Sequence, residues 1–224
     1  MIVDKKFRVP RIWSNRELEK FAHLFSGKAV NVSGWKDMDK EGKKYRDYFS
    51  NISEYWITNY KSEARGFQGN QENEIFLDLE QDLDESMHGK FDVVFNHTVL
   101  EHIFDVNKTF ENLCHLSNDI VIVVVPFLQE QHADYGDYWR FTPLAVEKLF
   151  QRNNIDMIYI NYNDNKDNSI YIFAIGAKNK QKWKQIIDNS NNQINKISTF
   201  MLGTKNIQNS FLSRIKFKLQ NIFR

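Results

Sequence analysis

The sequence predicts one α/β body on a mostly parallel seven-stranded sheet, with helices on both faces and an antiparallel hairpin made by the last two strands. Three observations carry this reading. Residues 91–96 and 120–125 are near-continuous Val/Ile/Phe runs, the pattern of strands buried on both faces. Such runs alternate along the chain with stretches of helical period, the order that assembles a parallel sheet. Two further β-rich runs, 157–162 and 170–177, are joined by a turn-like stretch, 163–169.

Taken in order, Ser14-Asn15-Arg16-Glu17 has the form of a capping box, with Ser14 as N-cap and Glu17 reaching back. It predicts a helix whose apolar positions are Leu18, Phe21, Ala22, Leu24 and Phe25 and which ends at Gly27. Residues 28–32 form the first strand and run into Ser33-Gly34. Residues 55–58 read as the second strand and 75–77 as the third, ending at Asp78. Between the fourth strand, 91–96, and the fifth, 120–125, the residues Val106, Phe110, Leu113, Cys114 and Leu116 make the apolar face of a helix. Thr142-Pro143 opens another, with Thr142 as N-cap and Pro143 at the first helical position. The expected division is an N-terminal helical segment over 1–27, the sheet body over 28–178 and a basic, amphipathic helical tail over 179–224.

Composition narrows the class. With 224 residues, 42% hydrophobic and 26% charged, the chain has the make-up of an ordinary folded globule. Cys114 is the only cysteine, which excludes an internal disulfide and a cysteine-based zinc cage and suits a reducing compartment. The N-terminus lacks the apolar stretch of a secretory signal. The longest apolar run, 120–128, is far short of the roughly 20 residues that span a bilayer. A cytoplasmic location is expected. Residues 178–224 hold ten Lys/Arg and one Asp, against twenty Lys/Arg and twenty-eight Asp/Glu in the remainder. In this tail Phe211, Leu212, Ile215, Leu219, Ile222 and Phe223 fall on one side of a helix, among Arg214, Lys216, Lys218 and Arg224. Such a helix suits peripheral contact with an anionic membrane surface, or docking on the acidic body or on a second copy of the chain. Nucleic-acid binding is not expected, because the basic residues are confined to the tail.

Ligands of an open parallel sheet bind beyond the carboxyl ends of its strands. The residues to inspect are therefore Ser33-Gly34, Asn59, Asp78, Asn96-His97 and the segment from Pro126 onward. Three segments here carry a specific pattern. Phe91-Asp92-Val93-Val94-Phe95-Asn96-His97-Thr98-Val99-Leu100-Glu101-His102 is a strand beginning Phe-Asp with a Leu-Glu-His turn after it. Val124-Val125-Pro126 is a strand ending in Pro. His132-Ala133-Asp134-Tyr135-Gly136-Asp137-Tyr138-Trp139-Arg140-Phe141-Thr142-Pro143 places a His, then Tyr-Trp-Arg-Phe-Thr-Pro, before the next helix. In this combination, over positions 28 to 177, the chain resembles class I S-adenosylmethionine (SAM)-dependent methyltransferases of the type 11 kind.

The resemblance implies a Rossmann-like fold, SAM as cofactor and roles by position. Val32, Ser33 and Gly34 would pass under the methionine part. Asn59 stands where the family has an acid on the ribose hydroxyls. Asp78 and Leu79 would face the adenine, and Asn96 and His97 the sulfonium. The first loop, Asn31-Val32-Ser33-Gly34-Trp35-Lys36, departs from the family's glycine-rich pattern, and the ribose acid is replaced by Asn59.

Methyl transfer to a hydroxyl requires that the acceptor lose its proton, and a histidine exchanges protons near neutral pH. His132 is thus the expected base, assisted by Asp134 or Tyr138. Tyr135 and Tyr138 suit the lining of an acceptor pocket, while Trp139 and Phe141 read as packing. Arg140 would hold an anionic acceptor or pair with a nearby carboxylate. Glu101-His102 reads as shaping the turn after the fourth strand. No metal is assigned; a divalent ion on His132, Asp134, Asp137 or Glu101 is a lesser alternative. The leading expectation is O-methylation of a small-molecule or glycan acceptor, as in polysaccharide biosynthesis. The alternative is a methyltransferase-fold subunit that has lost catalysis and serves as a binding or scaffolding partner.

Overall fold

A computed structural model describes residues 8–60, 66, 67, 69, 72–132, 136–164, 168–199, 202 and 203. Its seven strands are β1 (Gly27–Val32), β2 (Ile52–Asn59), β3 (Glu74–Phe76), β4 (Phe91–His97), β5 (Ser117–Leu128), β6 (Asp156–Tyr162) and β7 (Ile170–Ala177). The helices are α1 (Arg8–Glu19), α2 (Val106–Leu116), α3 (Pro143–Arg152) and the short α4 (Lys184–Ile187). The strands lie in the order β3-β2-β1-β4-β5-β7-β6. All neighbours pair in parallel except β7, which is antiparallel to both β5 and β6. The antiparallel strand is therefore one place in from the edge, all eight of its residues are buried, and β6 forms the border.

Strand alternation divides the core into two layers. Val30, Val32, Val94, Val121, Val123 and Val125 face one side, with Phe110 and Leu113 of α2 and Val146 and Phe150 of α3. Ala29, Val93, Phe95, Ile120, Ile122 and Val124 face the other, with Leu18 of α1, Phe21, Phe25, Trp183 and Ile186. Thr142 caps α3 as its sequence indicates, its hydroxyl accepting from the Ala145 N–H at 3.1 Å.

Two elements differ from the sequence reading. Ser14 does not open α1, which already runs from Arg8 with Pro10 in its first turn. Its hydroxyl bonds the Arg11 carbonyl and the His97 ring, both at 2.8 Å. Glu17 instead accepts from the Tyr159 hydroxyl at 2.7 Å. Ser14, Asn15 and Glu17 are all buried, so the polar residues of α1 face the sheet and their hydrogen bonds fasten it there. The helix stops at Glu19, before Gly27, and only a short 3-10 turn, Ala22–Leu24, precedes β1.

The second difference is the β1–β2 crossover, to which the sequence assigned no element and which holds a single 3-10 turn, Tyr45–Tyr48. Tyr45, Tyr48 and Phe49 cover the sheet there, with Tyr45 tilted against Phe95 and Phe49 edge-on to it at ring distances of 5.1 and 6.1 Å. Beyond β7 the described residues stay on the body. Lys182 pairs with Asp119 at 2.5 Å, and the Trp183 indole donates to the same carboxylate at 3.1 Å. Asn192 bonds the backbone of Ile158 and Ile160, covering the open edge of β6. Among the described residues no helix is long and apolar enough to cross a membrane. The amphipathic stripe of the tail, 211–223, lies outside the described residues.

Candidate functional site

The carboxyl ends of β1 to β5 and the start of β7 meet at one end of the sheet, and α1 leans over it. After β1 the chain needs a sharp path, yet Gly34 is the only glycine. Ser33, Trp35 and Asp37 instead take φ of 58°, 48° and 58°, the left-handed region that disfavours side chains. The strain is held by a hub. Asp37 is 3% exposed and accepts from Asn31 Nδ2 (2.7 Å), the Tyr55 hydroxyl (2.8 Å) and the Arg46 N–H (3.0 Å). Burial pushes its carboxyl up, and these donors oppose the shift. Gly34 is required by close approach, because a Cβ there would meet Asn31 Nδ2 at 2.5 Å.

Val32 ends β1, and its carbonyl accepts from Asn96 Nδ2 at 3.2 Å. The Asn96 side chain is fully buried and its Oδ1 has no protein partner, so an acceptor is left open beside the β1 loop. Asn59, at the end of β2, is otherwise engaged. Its Oδ1 accepts from the Trp35 N–H at 2.7 Å, and its Nδ2 donates to Glu74 Oε1 at 2.6 Å and to the Trp35 carbonyl at 3.3 Å. It clamps the β1 loop to β2 and β3. Asp78 follows β3 half-buried, with one oxygen accepting from the Glu80 N–H at 3.0 Å. Leu79 is buried, and its carbonyl accepts from Asn112 Nδ2 at 2.9 Å.

His97 sits at the end of β4 with both ring nitrogens in contact, Nε2 with Ser14 Oγ and Nδ1 with Thr98 Oγ1 at 3.2 Å. Burial, with Arg11 nearby, pushes its pKa down to about 3, so the ring is neutral at physiological pH. It joins α1 to the sheet.

The other side of this pole is built by the turn after β4 and the loop after β5. Asp137 is the centre of that loop. Its two oxygens take Arg140 in a fork, at 2.5 and 2.7 Å, and Oδ2 lies 2.7 Å from the His132 N–H and 3.3 Å from His132 Nδ1. The Arg140 hydrogen bonds, opposed by burial, hold the Asp137 carboxyl down at about 2. Arg140 also donates to the carbonyls of Gln129, Glu130 and Trp139, which completes its five N–H groups. Arg140 therefore pins the loop, and no N–H group remains for an anionic acceptor. Of the assistants expected for His132, Asp134 lies outside the described residues, as does Tyr135. Among the described residues, the carboxylate that meets the ring is Asp137. The Tyr138 ring is 53% exposed.

The turn Leu100–His102 underpins the loop. The Glu101 carbonyl accepts from the N–H groups of Tyr138 (2.7 Å) and Trp139 (3.3 Å), and His102 Nδ1 donates to the Gly136 carbonyl at 2.6 Å. The His102 and His132 rings meet edge to face at 5.1 Å. The Glu101 side chain is buried with no hydrogen bond on either oxygen, 3.7 Å from His102 Nε2, and burial pushes it up to about 7. Its turn-shaping role is as read; the burial of its carboxyl without a hydrogen bond carries no local sequence signal, since it follows from how distant elements close around the turn and outweighs the opposing effect of Arg11 of α1. Phe141 is packed, at 4% exposed, whereas Trp139 is 37% exposed. Among the described residues no group of three or more His, Cys, Asp or Glu side chains is placed to hold a metal ion.

No family model and no curated sequence matches the chain. Solved structures do. A methyltransferase described as putative in Bacillus halodurans C-125 superposes with a TM-score of 0.55 at 10% identity, over 73% of this chain and 97% of that one. The magnesium protoporphyrin IX methyltransferase of Synechocystis PCC 6803, with bound SAM, gives 0.52 at 12%, over 80% and 84%. A SAM-dependent methyltransferase of Clostridium acetobutylicum ATCC 824 gives 0.53 at 11%, over 79% and 96%. The fold is that of the class I SAM-dependent methyltransferases. Within this fold, the strand ends β1 to β4 form one half of the candidate site and the β5 loop the other.

Proposed function

We propose that the chain is a SAM-dependent methyltransferase acting on an oxygen of a small-molecule or glycan acceptor, with His132 as the base. The observation that carries the reading is the His132–Asp137 pair at the end of β5, beside strand ends that suit the cofactor. The residues present fit SAM in part. Asn96 Oδ1 is an unmatched buried acceptor, and Asp78 has a carboxylate oxygen with no protein donor. Val32, Ser33 and Gly34 would carry the methionine part, Asp78 and Leu79 the adenine, and Asn96 and His97 would border the sulfonium. Asn59 serves the ribose end by holding the Trp35 loop in place.

SAM, when bound, supplies a methyl group on a cationic sulfur, so its departure needs no acid. The protein's tasks are to orient the acceptor and to take its proton as the new O–C bond forms. Asp137 Oδ2, kept ionised by Arg140, faces His132 Nδ1 and favours the tautomer with the proton there. Nε2, now 3.3 Å from the Gln129 side-chain amide, would then be the nitrogen that receives the acceptor proton once the acceptor takes the place of that contact. Tyr138, and Tyr135 from the same loop, would line the acceptor.

With tritiated SAM and polysaccharide fragments as acceptors, His132→Ala is expected to lower turnover about 10²- to 10⁴-fold while leaving SAM affinity intact. Unchanged turnover would remove His132 from the role. The engagement of Asn59 within the protein favours a second reading, a binding subunit without catalysis. Absence of any SAM binding would select it.

A further inference from the structure

Three large aromatic rings stand in solvent beside the His132–Asp137 pair. Phe104 is 68% exposed, Tyr138 53% and Trp139 37%. They touch one another: Phe104 meets Tyr138 at 5.4 Å and 77°, and Trp139 at 6.3 Å and 34°. Exposed apolar surface gathered in one place is costly and marks a contact site. The Trp139 ring and the Tyr138 backbone are also held in place. The Trp139 indole N–H lies 3.1 Å from both the Ile103 and the Phe104 carbonyls, and the Tyr138 N–H is bonded to Glu101. A rigid aromatic surface binds without first losing side-chain freedom.

We infer that Phe104, Tyr138 and Trp139 form a stacking platform that seats a neutral pyranose ring of the acceptor. The inference rests on the proposed methyl transfer and gives the substrate class of that same site. Tyr138 and Trp139 belong to the loop that holds Asp137, so one loop carries both the platform and the partner of the base. Asp105 follows Phe104 and its N–H bonds Glu80 Oε1 at 3.1 Å, so two carboxylates stand at the Phe104 end, while Arg140, after Trp139, spends its N–H groups on the loop. Carboxylates repel phosphate and anionic lipid, and they accept hydrogen bonds from hydroxyls. A flat apolar face bordered by acceptors matches a ring with C–H groups on its face and hydroxyls on its edge.

The test uses the full chain on a printed array of neutral hexose, deoxyhexose and hexosamine oligosaccharides together with uronic-acid oligosaccharides. Phe104→Ala and Trp139→Ala are compared with the wild type, and a SAM titration of each serves as the independent control. Phe104 is so exposed that its removal leaves packing intact, which covers the case where Trp139→Ala disturbs the loop. Retention of neutral oligosaccharides, weakened about ten-fold or more by either substitution with SAM binding unchanged, is the expected result. The inference fails if no sugar is retained while SAM binds, or if retention survives both substitutions. It fails equally if the rings instead mediate binding to phosphatidylglycerol vesicles. Sugar retention that needs the rings, without SAM binding, would keep the platform and overturn the methyl-transfer reading instead.

Discussion

Glu101 and Asp137 are carboxyl groups on the same side of the sheet, and their surroundings send them in opposite directions. Asp137 is held low by the Arg140 fork, whereas Glu101 is buried without a hydrogen bond and rises from 4.5 to about 7. A raised acid pKa means that the folded chain disfavours the ionised form. The cost is absent below the unfolded value, grows between the two values and is complete above the folded one. Glu101→Gln removes it. The variant is expected to match the wild type in urea unfolding near pH 4 and to be more stable near pH 8, by up to about 3 kcal/mol. Lower stability of the variant near pH 8 would mean that the ionised carboxylate is paired in the fold. At this scale His132 was legible from its place in a polar loop after a strand. Its contact with Asp137 was not, because Asp134 is the nearer in sequence and the approach of Asp137 to the ring depends on how the loop folds around Arg140.

Among the elements, the β1 loop follows a path that glycines usually permit, with three side-chain-bearing residues in the left-handed region held by Asp37. Asp37→Ala removes the acceptor of three hydrogen bonds at once. Bonds to a charged group contribute about 1.5–3 kcal/mol each, and they are not additive, so a loss of about 3 kcal/mol in unfolding free energy is expected. SAM affinity should fall with it. A stable variant with unchanged SAM affinity would show that the loop needs no hub. The strands 91–97 and 117–128 were legible because burial on both faces demands an unbroken apolar run. The start of α1 was not: Ser14 and Glu17 imitate a cap, and their true partners, His97 and Tyr159, lie 83 and 142 residues away. The crossover between β1 and β2 escaped for a related reason, since its cover is three aromatic rings without helical period.

For the whole molecule, the sheet order places every strand end implied by the methyltransferase resemblance at one pole, and α1, the turn after β4 and the β5 loop assemble over it. That convergence follows from parallel topology and was legible from the alternation of elements. The inward place of β7 was less so, because a hairpin in sequence does not say which of its strands joins the sheet. The basic segment after β7 begins by pairing with the acidic body, through Lys180 to Asp156 and Lys182 to Asp119.

The central claim is that this pole binds SAM despite its altered first loop. The most direct measurement is isothermal titration of the purified chain with SAM and with S-adenosylhomocysteine, repeated on Asp78→Ala. Saturable one-site binding of both, weakened about ten-fold by Asp78→Ala, is expected. No heat of binding at millimolar ligand, or binding indifferent to Asp78, would contradict it.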